Sequence, residues 1–295
     1  MSFPPDAFLI GAEKCGTTTL TDLLDQHAAL TLAKPLESDY FTRNRHRGTN
    51  WYRSLFASGC AETCLEVSRS YSAAPLTALA EGSVNPEAPT VGVPARIHAA
   101  NADARFIYVI RDPVERTYSS YWHAVRYGYK DIGFRAALAK SPQFLDRSRY
   151  VGQLRLYLEW FPLESFHILL FEDMRADPVA AAKHCFRFLG LDNPRFEPIF
   201  DRAKNESFRY NAMGRLIRGL LPSGRAMNRF VNLAQTIVPK PLHDYTKRVI
   251  VADVPPLSPE DAAFLEDYFH PHNEALAKLT GIDLSKWRGP SSVED

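Results

Sequence analysis

The sequence predicts an α/β protein in which a central, mostly parallel sheet is flanked by helices. Four short apolar runs, AFLIG (7–11), CLEVS (64–68), RFIYVI (105–110) and FHILLF (166–171), carry β-branched or aromatic residues and read as strands buried on both faces. They are spaced widely enough for crossover helices, and helical patterns fill the gaps over 17–27, 113–127, 149–160 and 178–189. Pro113 and Pro178 each follow an aspartate, the N-cap and first-turn pairing that starts a helix. Near the end, LSPEDAAFLEDYFHPHNEALAKL joins a Ser-x-x-Asp capping pattern to helical apolar spacing, which predicts a docking helix at about 258–280.

The 295 residues are 45% hydrophobic and 23% charged, the composition of an ordinary folded chain, and one domain over 1–295 is expected. A net charge of +1 gives no ground for nucleic-acid binding, so any anion site must be local. The first residues lack a basic stretch leading into an apolar one, and nowhere do eighteen apolar residues run together; a soluble, cytoplasmic chain without a transmembrane segment is expected. Of the four cysteines, only Cys60 and Cys64 are close, which is too few for a zinc site, so reduced structural thiols are expected. Cys15 stands apart, since a helix N-terminus would lower its pKa. His184 and Cys185 lie on an amphipathic pattern and read as packing. From Arg209 to Arg248, eight Lys or Arg face a single acid, Asp244. This predicts a basic helical insertion at about 209–250, either a solvated subdomain or a cover over an anionic acceptor or a membrane surface. No heptad pattern speaks to oligomeric state.

The chemistry concentrates in GAEKCGTTTL. Gly11 and Gly16 have the spacing of a Walker A loop, but Thr17 follows the second glycine and the lysine is Lys14, inside the loop. A strand ending at Gly11 and a helix starting near Thr17 would aim backbone amides and a positive helix end at one spot. That spot suits a phosphate. Thr17, Thr18 and Thr19 add hydroxyl donors, and Lys14 supplies a point charge placed for a leaving group rather than for a metal-bridged γ-phosphate. In RFIYVIRDPVERTYSSYWH, Arg111 ends an apolar strand and Ser119 lies two turns into the next helix. Strand ends of open α/β sheets are where ligands bind, and this arginine could fork onto a second phosphate or pair with Asp112 or Glu115.

Together GAEKCGTTTL and RFIYVIRDPVERTYSSY resemble the two nucleotide signatures of sulfotransferases that use 3'-phosphoadenosine 5'-phosphosulfate (PAPS), closest to the bacterial and heparan-sulfate-type branch. The resemblance continues through RSRYVGQLRLYLEWFPLESFHILLFEDMRADP, FRFLGL and LEDYFHPHNEALAKLTGIDLSKW, so it covers most of the chain. It implies a P-loop nucleotide-binding fold, PAPS as donor with PAP as product, and no metal. It also implies that Lys14 contacts the bridging oxygen, that Cys15, Gly16, Thr17, Thr18 and Thr19 hold the 5'-phosphate, and that Arg111 and Ser119 hold the 3'-phosphate.

LAKPLESDYF resembles the family stretch KExxFF, whose glutamate is the base; Glu37 occupies that place, with Leu36 where the lysine is expected and Lys34 further back. Asp39 and His123 are competing bases. EVSRSYS resembles a segment near the acceptor, so Ser68 and Tyr71 are weak acceptor contacts, with Arg69 replacing a proline. Trp51 and Tyr52 could stack on a sugar or belong to the core, and Glu172 could touch ligand or serve as a polar core group. The acceptor implied is a hydroxyl or amine of a carbohydrate or small metabolite. A nucleotide kinase would place its lysine after the second glycine, and a non-catalytic nucleotide or polysaccharide-binding module would tolerate loss of Glu37.

Overall fold

The computed structural model describes residues 5–56, 62–191, 198–200, 209–210, 251–252 and 254–287. Strands β1 (Ala7–Gly11), β2 (Leu30–Leu32), β3 (Thr63–Val67), β4 (Arg105–Ile110) and β5 (Phe166–Leu170) form a wholly parallel sheet in the order β2-β3-β1-β4-β5. Every residue of β1 and β3 is buried, and Arg105 alone is exposed in β4. Burial on both faces is why these strands read as unbroken apolar runs. β2, at three residues, is too short to announce itself.

The α-helices among the described residues are α1 (Thr17–Leu24), α2 (Gly48–Ser54), α3 (Leu76–Ala80), α4 (Val93–Ala100), α5 (Pro113–Arg126), α6 (Phe134–Lys140), α7 (Gln143–Asp146), α8 (Tyr150–Leu158), α9 (Phe171–Ala176), α10 (Pro178–Leu189) and α11 (Pro259–Thr280). The aspartate–proline starts behave as the sequence predicts. Asp112 accepts the Val114 and Glu115 amides at 2.8 and 3.1 Å, and Asp177 accepts the Ala180 amide at 2.9 Å. Ser258 caps α11 by accepting the Asp261 amide at 3.1 Å. Leu265 and Phe269 of α11 enter a core shared with Tyr121 and Trp122 of α5, Ala137 and Leu138 of α6, and Phe144 of α7. Leu276, two turns on, reaches the main core around the sheet. At about 1.5–3 kcal/mol per buried Leu or Phe, these contacts fasten the C-terminal helix.

Arg209–Tyr210 and Val251–Ala252 pair as a short antiparallel ladder. The basic stretch expected between them lies otherwise outside the described residues. No helix among the described residues is long and apolar enough to cross a membrane. The expectation of reduced cysteines holds for Cys15 and Cys185, which are free and buried, but not for Cys64, which is disulfide-bonded.

The topology decides where a ligand can sit. From β1 the chain runs to the edge strand β2, returns inward to β3, and then crosses β1 to reach β4 and β5 on the other side, so the loops after β1 and β4 leave in opposite directions. β1 is therefore the switch point, and the crevice lies beyond the C-terminal ends of the strands.

Candidate functional site

Each parallel strand delivers its following loop to that crevice. After β1, Ser72 Oγ donates to the Ile10 carbonyl at 2.8 Å, and a Cβ on Gly11 would collide with the same hydroxyl. Gly16 is left-handed (φ 75), and a Cβ there would meet Met174 Cε at 2.5 Å and the Phe171 ring at 2.9 Å. Both loop glycines are thus favoured by close approach and by backbone sign, Gly11 at φ 145 and Gly16 at φ 75. α1 then begins at Thr17 with no acidic residue in its first turn, so its first amides and positive end face an uncompensated spot. Thr17 is buried there, Thr19 half-buried and Thr18 exposed.

Lys14 is also left-handed (φ 72). Burial, reinforced by the charges of Arg126, Arg111 and Arg69 and opposed by Glu13, pushes its pKa down to about 8. A cluster of like charges costs energy until an anion arrives. The loop is braced from behind: Glu13 ion-pairs with Arg147, and the fully buried Arg116 donates to the Glu13 carbonyl at 3.4 Å, to Ser148 Oγ at 2.5 Å and to the Phe144 carbonyl at 2.7 Å. Burial works to raise the Glu13 carboxyl, but the surrounding cations, led by Arg147, hold it below the usual range.

Beyond β4, Arg111 donates to Glu115 Oε2 from Nη2 at 2.5 Å and from Nε at 3.2 Å, and its guanidinium lies 4.7 Å from the centre of the Phe171 ring. Its Nη1 reaches the Lys14 carbonyl at 3.4 Å, tying the two expected phosphate sites together. Glu115, Ser119 and His123 recur every fourth residue, so they share one stripe of α5. His123 fixes that stripe against the loop, with Nε2 at 3.5 Å from Glu13 Oε1. Between the two, Ser119 Oγ is buried without a hydrogen-bond partner among the described residues. A buried hydroxyl left unpaired costs free energy, and a phosphate oxygen would satisfy it. His123 itself is neutral: burial and the Lys14 charge push its pKa down to about 4. Arg126 Nη2 stands 3.0 Å from Nδ1, so the neutral ring accepts there and has its N–H on Nε2. Its basic lone pair is spent, which weighs against His123 as the base.

Beyond β2, the Glu37 amide donates to the Val67 carbonyl at 3.0 Å, and Glu37 takes a left-handed φ of 60. Burial raises its carboxyl pKa and Asp39 adds to this, while Arg69 works against it. Arg69, beyond β3, donates its main-chain N–H to Oε2 at 3.1 Å and its Nε–H to Oε1 at 2.5 Å. Asp39 is separately engaged, accepting Ser70 Oγ at 2.6 Å and pairing with Arg43 at 3.1 Å.

The expected acceptor contacts and the loop thiol read differently in space, while Tyr52 and Glu172 take one of the two roles left open for each. Ser68 and Tyr71, expected at the acceptor, are buried and donate to Glu66 Oε1 at 2.9 and 2.5 Å. Tyr52 is likewise buried, stacked on Tyr40 with centroids 4.0 Å apart, its hydroxyl on Glu66 Oε2, whereas Trp51 remains half-exposed under Arg47. Cys15 is fully buried and its thiol is pushed up to about 11 by burial, so the helix N-terminus does not lower its pKa and it is a structural thiol. Glu172 accepts the Asp112 amide at 2.9 Å and Trp287 Nε1 at 3.1 Å, which makes it a structural tie to the C-terminal segment.

Glu66 is the residue that sequence reading passed over. It is fully buried in β3 and takes hydroxyl donors from Ser38, Ser68, Tyr52 and Tyr71, which bind the Glu37–Asp39 turn to the strand end. A glutamate at the centre of an apolar strand was the available signal. Glu66→Leu is expected to strand several buried hydroxyls and lower stability by about 2–4 kcal/mol. A urea midpoint equal to wild type would show that these hydroxyls find other partners.

Among the described residues, no group of three or more His, Cys, Asp or Glu side chains is gathered as a metal site. Residues 4–220 match the family model described as the sulfotransferase domain. Human heparan sulfate glucosamine 3-O-sulfotransferase 6 is 30% identical over 196 residues, 63% of this chain and 52% of that protein. Mouse heparan sulfate glucosamine 3-O-sulfotransferase 3B1 is 30% identical over 200 residues, 63% of this chain and 46% of that protein. The chain thus spans about half the length of either relative. The crystal structure of a sulfotransferase from Alicyclobacillus acidocaldarius shares the fold, with a TM-score of 0.67 at 24% identity over 97% of this chain and 100% of that one. The family match takes in the phosphate loop, the Glu37 turn, Arg111 and Ser119 together, and the chain belongs to the sulfotransferase domain family.

Proposed function

We propose that this chain moves a sulfuryl group from PAPS to a hydroxyl or amine of a carbohydrate or small metabolite. The observation that carries the reading is the place of Lys14: inside the glycine-bounded loop, among Arg69, Arg111 and Arg126. The unpaired Ser119 hydroxyl, the uncapped start of α1 and the crowded Gly16 fit a bound anion with two separate phosphate groups. PAPS would supply an activated sulfuryl group on a phosphate leaving group. Thr17, Thr18, Thr19 and the loop amides would hold the 5'-phosphate, Arg111 and Ser119 the 3'-phosphate, and Lys14 would balance charge growing on the departing oxygen. Glu37 would take the acceptor proton. The relatives named for heparan sulfate favour a glycan acceptor.

The donor assignment is testable without an acceptor. Calorimetric titration is expected to show PAP binding tightly, with ADP and Mg-ATP much weaker. Arg111→Ala should weaken PAP by about 10- to 100-fold, the worth of a charge-assisted hydrogen bond or two, while ADP affinity stays near its wild-type value. Because Glu115 now occupies Arg111, a phosphate must displace it, and Glu115→Gln should tighten PAP severalfold. Preference for Mg-ATP would replace the reading with a kinase, and equal losses for PAP and ADP in Arg111→Ala would remove Arg111 from the 3'-phosphate.

A further inference from the structure

Glu37 has no cation beside it in the chain. Position 36 is leucine, and Lys34, the nearest basic residue, is drawn away to Asp25 at 2.5 Å. Its cation comes from the end of the neighbouring strand, β3. Arg69 engages both carboxylate oxygens at once, Oε2 through its main-chain N–H at 3.1 Å and Oε1 through Nε at 2.5 Å. Each oxygen keeps a second lone pair, so the carboxylate stays able to accept a proton. Asp39, on the same turn, has its own partners in Arg43 and Ser70. The groups that act on Glu37 are therefore Arg69, which favours its charged form, and Asp39, which opposes it. Arg69 also stands beside the phosphate loop, its carbonyl 3.6 Å from where a Cβ on Gly11 would sit, and its charge acts on Lys14, Glu13 and His123.

We propose that Arg69 is the positioning residue of this site, fixing the orientation of the Glu37 carboxylate through an ion pair beside the phosphate loop. Its catalytic use rests on the reading of Glu37 as the base; the ion pair itself does not. The main-chain bond to Oε2 survives any substitution at 69, so a side-chain variant isolates the contribution of the guanidinium.

The test is a pH titration of protein carrying ¹³C-labelled glutamate carboxyls, followed by NMR, with Glu37→Gln identifying the Glu37 signal. In Arg69→Ala the Glu37 midpoint is expected to rise by about one pH unit. Arg43→Ala should leave it in place. Arg69→Lys should hold the midpoint near wild type, yet kcat should fall about tenfold in both Arg69 variants, since only arginine offers Nε in that geometry, with PAP affinity changing by less than kcat does and least in Arg69→Lys. If Arg69→Ala fails to fold, Arg69→Gln against Arg69→Lys gives the same comparison of lost and kept charge. An unmoved midpoint in the uncharged variant overturns the ion pair and the proposal. A shifted midpoint together with a fully active Glu37→Gln overturns the base reading and the catalytic use of Arg69, while leaving the ion pair standing.

Discussion

Replacing Lys14 by alanine is expected to lower kcat by about 10²–10³-fold, the cost of losing one preorganised donor at a developing charge, with PAP affinity within a few-fold of wild type. The split follows from the arrangement. Under the proposed reading, ground-state binding would be shared among the α1 amides, Arg111 and Ser119, all of which remain, whereas Lys14 would act on charge that grows only as the sulfuryl bond breaks. The measurement is conversion of PAPS to PAP with an acceptor drawn from a glycan panel, beside calorimetry with PAP. Turnover within threefold of wild type would remove Lys14 from the chemistry. Its pH dependence is a second check. With a pKa near 8 in the free protein, Lys14 is charged below that value and neutral above it, so kcat/KM for PAPS should fall as pH rises through about 8. Lys14→Arg, charged throughout, should lose that alkaline limb even where its geometry costs turnover.

The strands and capped helices were legible because their signals are local. Burial on both faces makes β1 and β4 continuous apolar runs, and Asp112–Pro113 writes a helix start into two residues. The phosphate loop was legible because its glycines answer to close approach by Ser72, Met174 and Phe171. What stayed hidden depends on groups distant in sequence. β2 is three residues long, yet it delivers Glu37, and the partner of Glu37 stands more than thirty residues on, at Arg69 beyond the neighbouring strand β3. Read along the chain, Leu36 and Arg69 are two departures from the pattern that the chain resembles. In space, the second supplies the cation that the first omits. Ser68 and Tyr71 were misplaced for the same reason: sequence shows polar residues beside a site, while burial reveals that Glu66 claims their hydroxyls.

Glu37→Gln is expected to suppress turnover by about 10³-fold while leaving PAP affinity at the wild-type level, because the amide keeps the shape of the side chain but cannot take a proton. Three groups near the loop could in principle serve as base, and their environments differ. His123 is held neutral with its acceptor nitrogen against Arg126, so its lone pair is not offered to a substrate. Asp39 divides its two oxygens between Ser70 and Arg43. Glu37 is raised by burial, which brings a carboxylate nearer the working pH, and Arg69 limits that rise. A base works deprotonated, so the acidic limb of kcat/KM should rise with pH through the Glu37 pKa, and with the Lys14 limb it should give a bell-shaped profile. In Glu37→Gln the acidic limb should vanish with the activity, while Asp39→Asn should keep both limbs. Full activity in Glu37→Gln, with Asp39→Asn inactive, would transfer the role to Asp39 and leave the Arg69 clamp as a structural tie between β2 and β3.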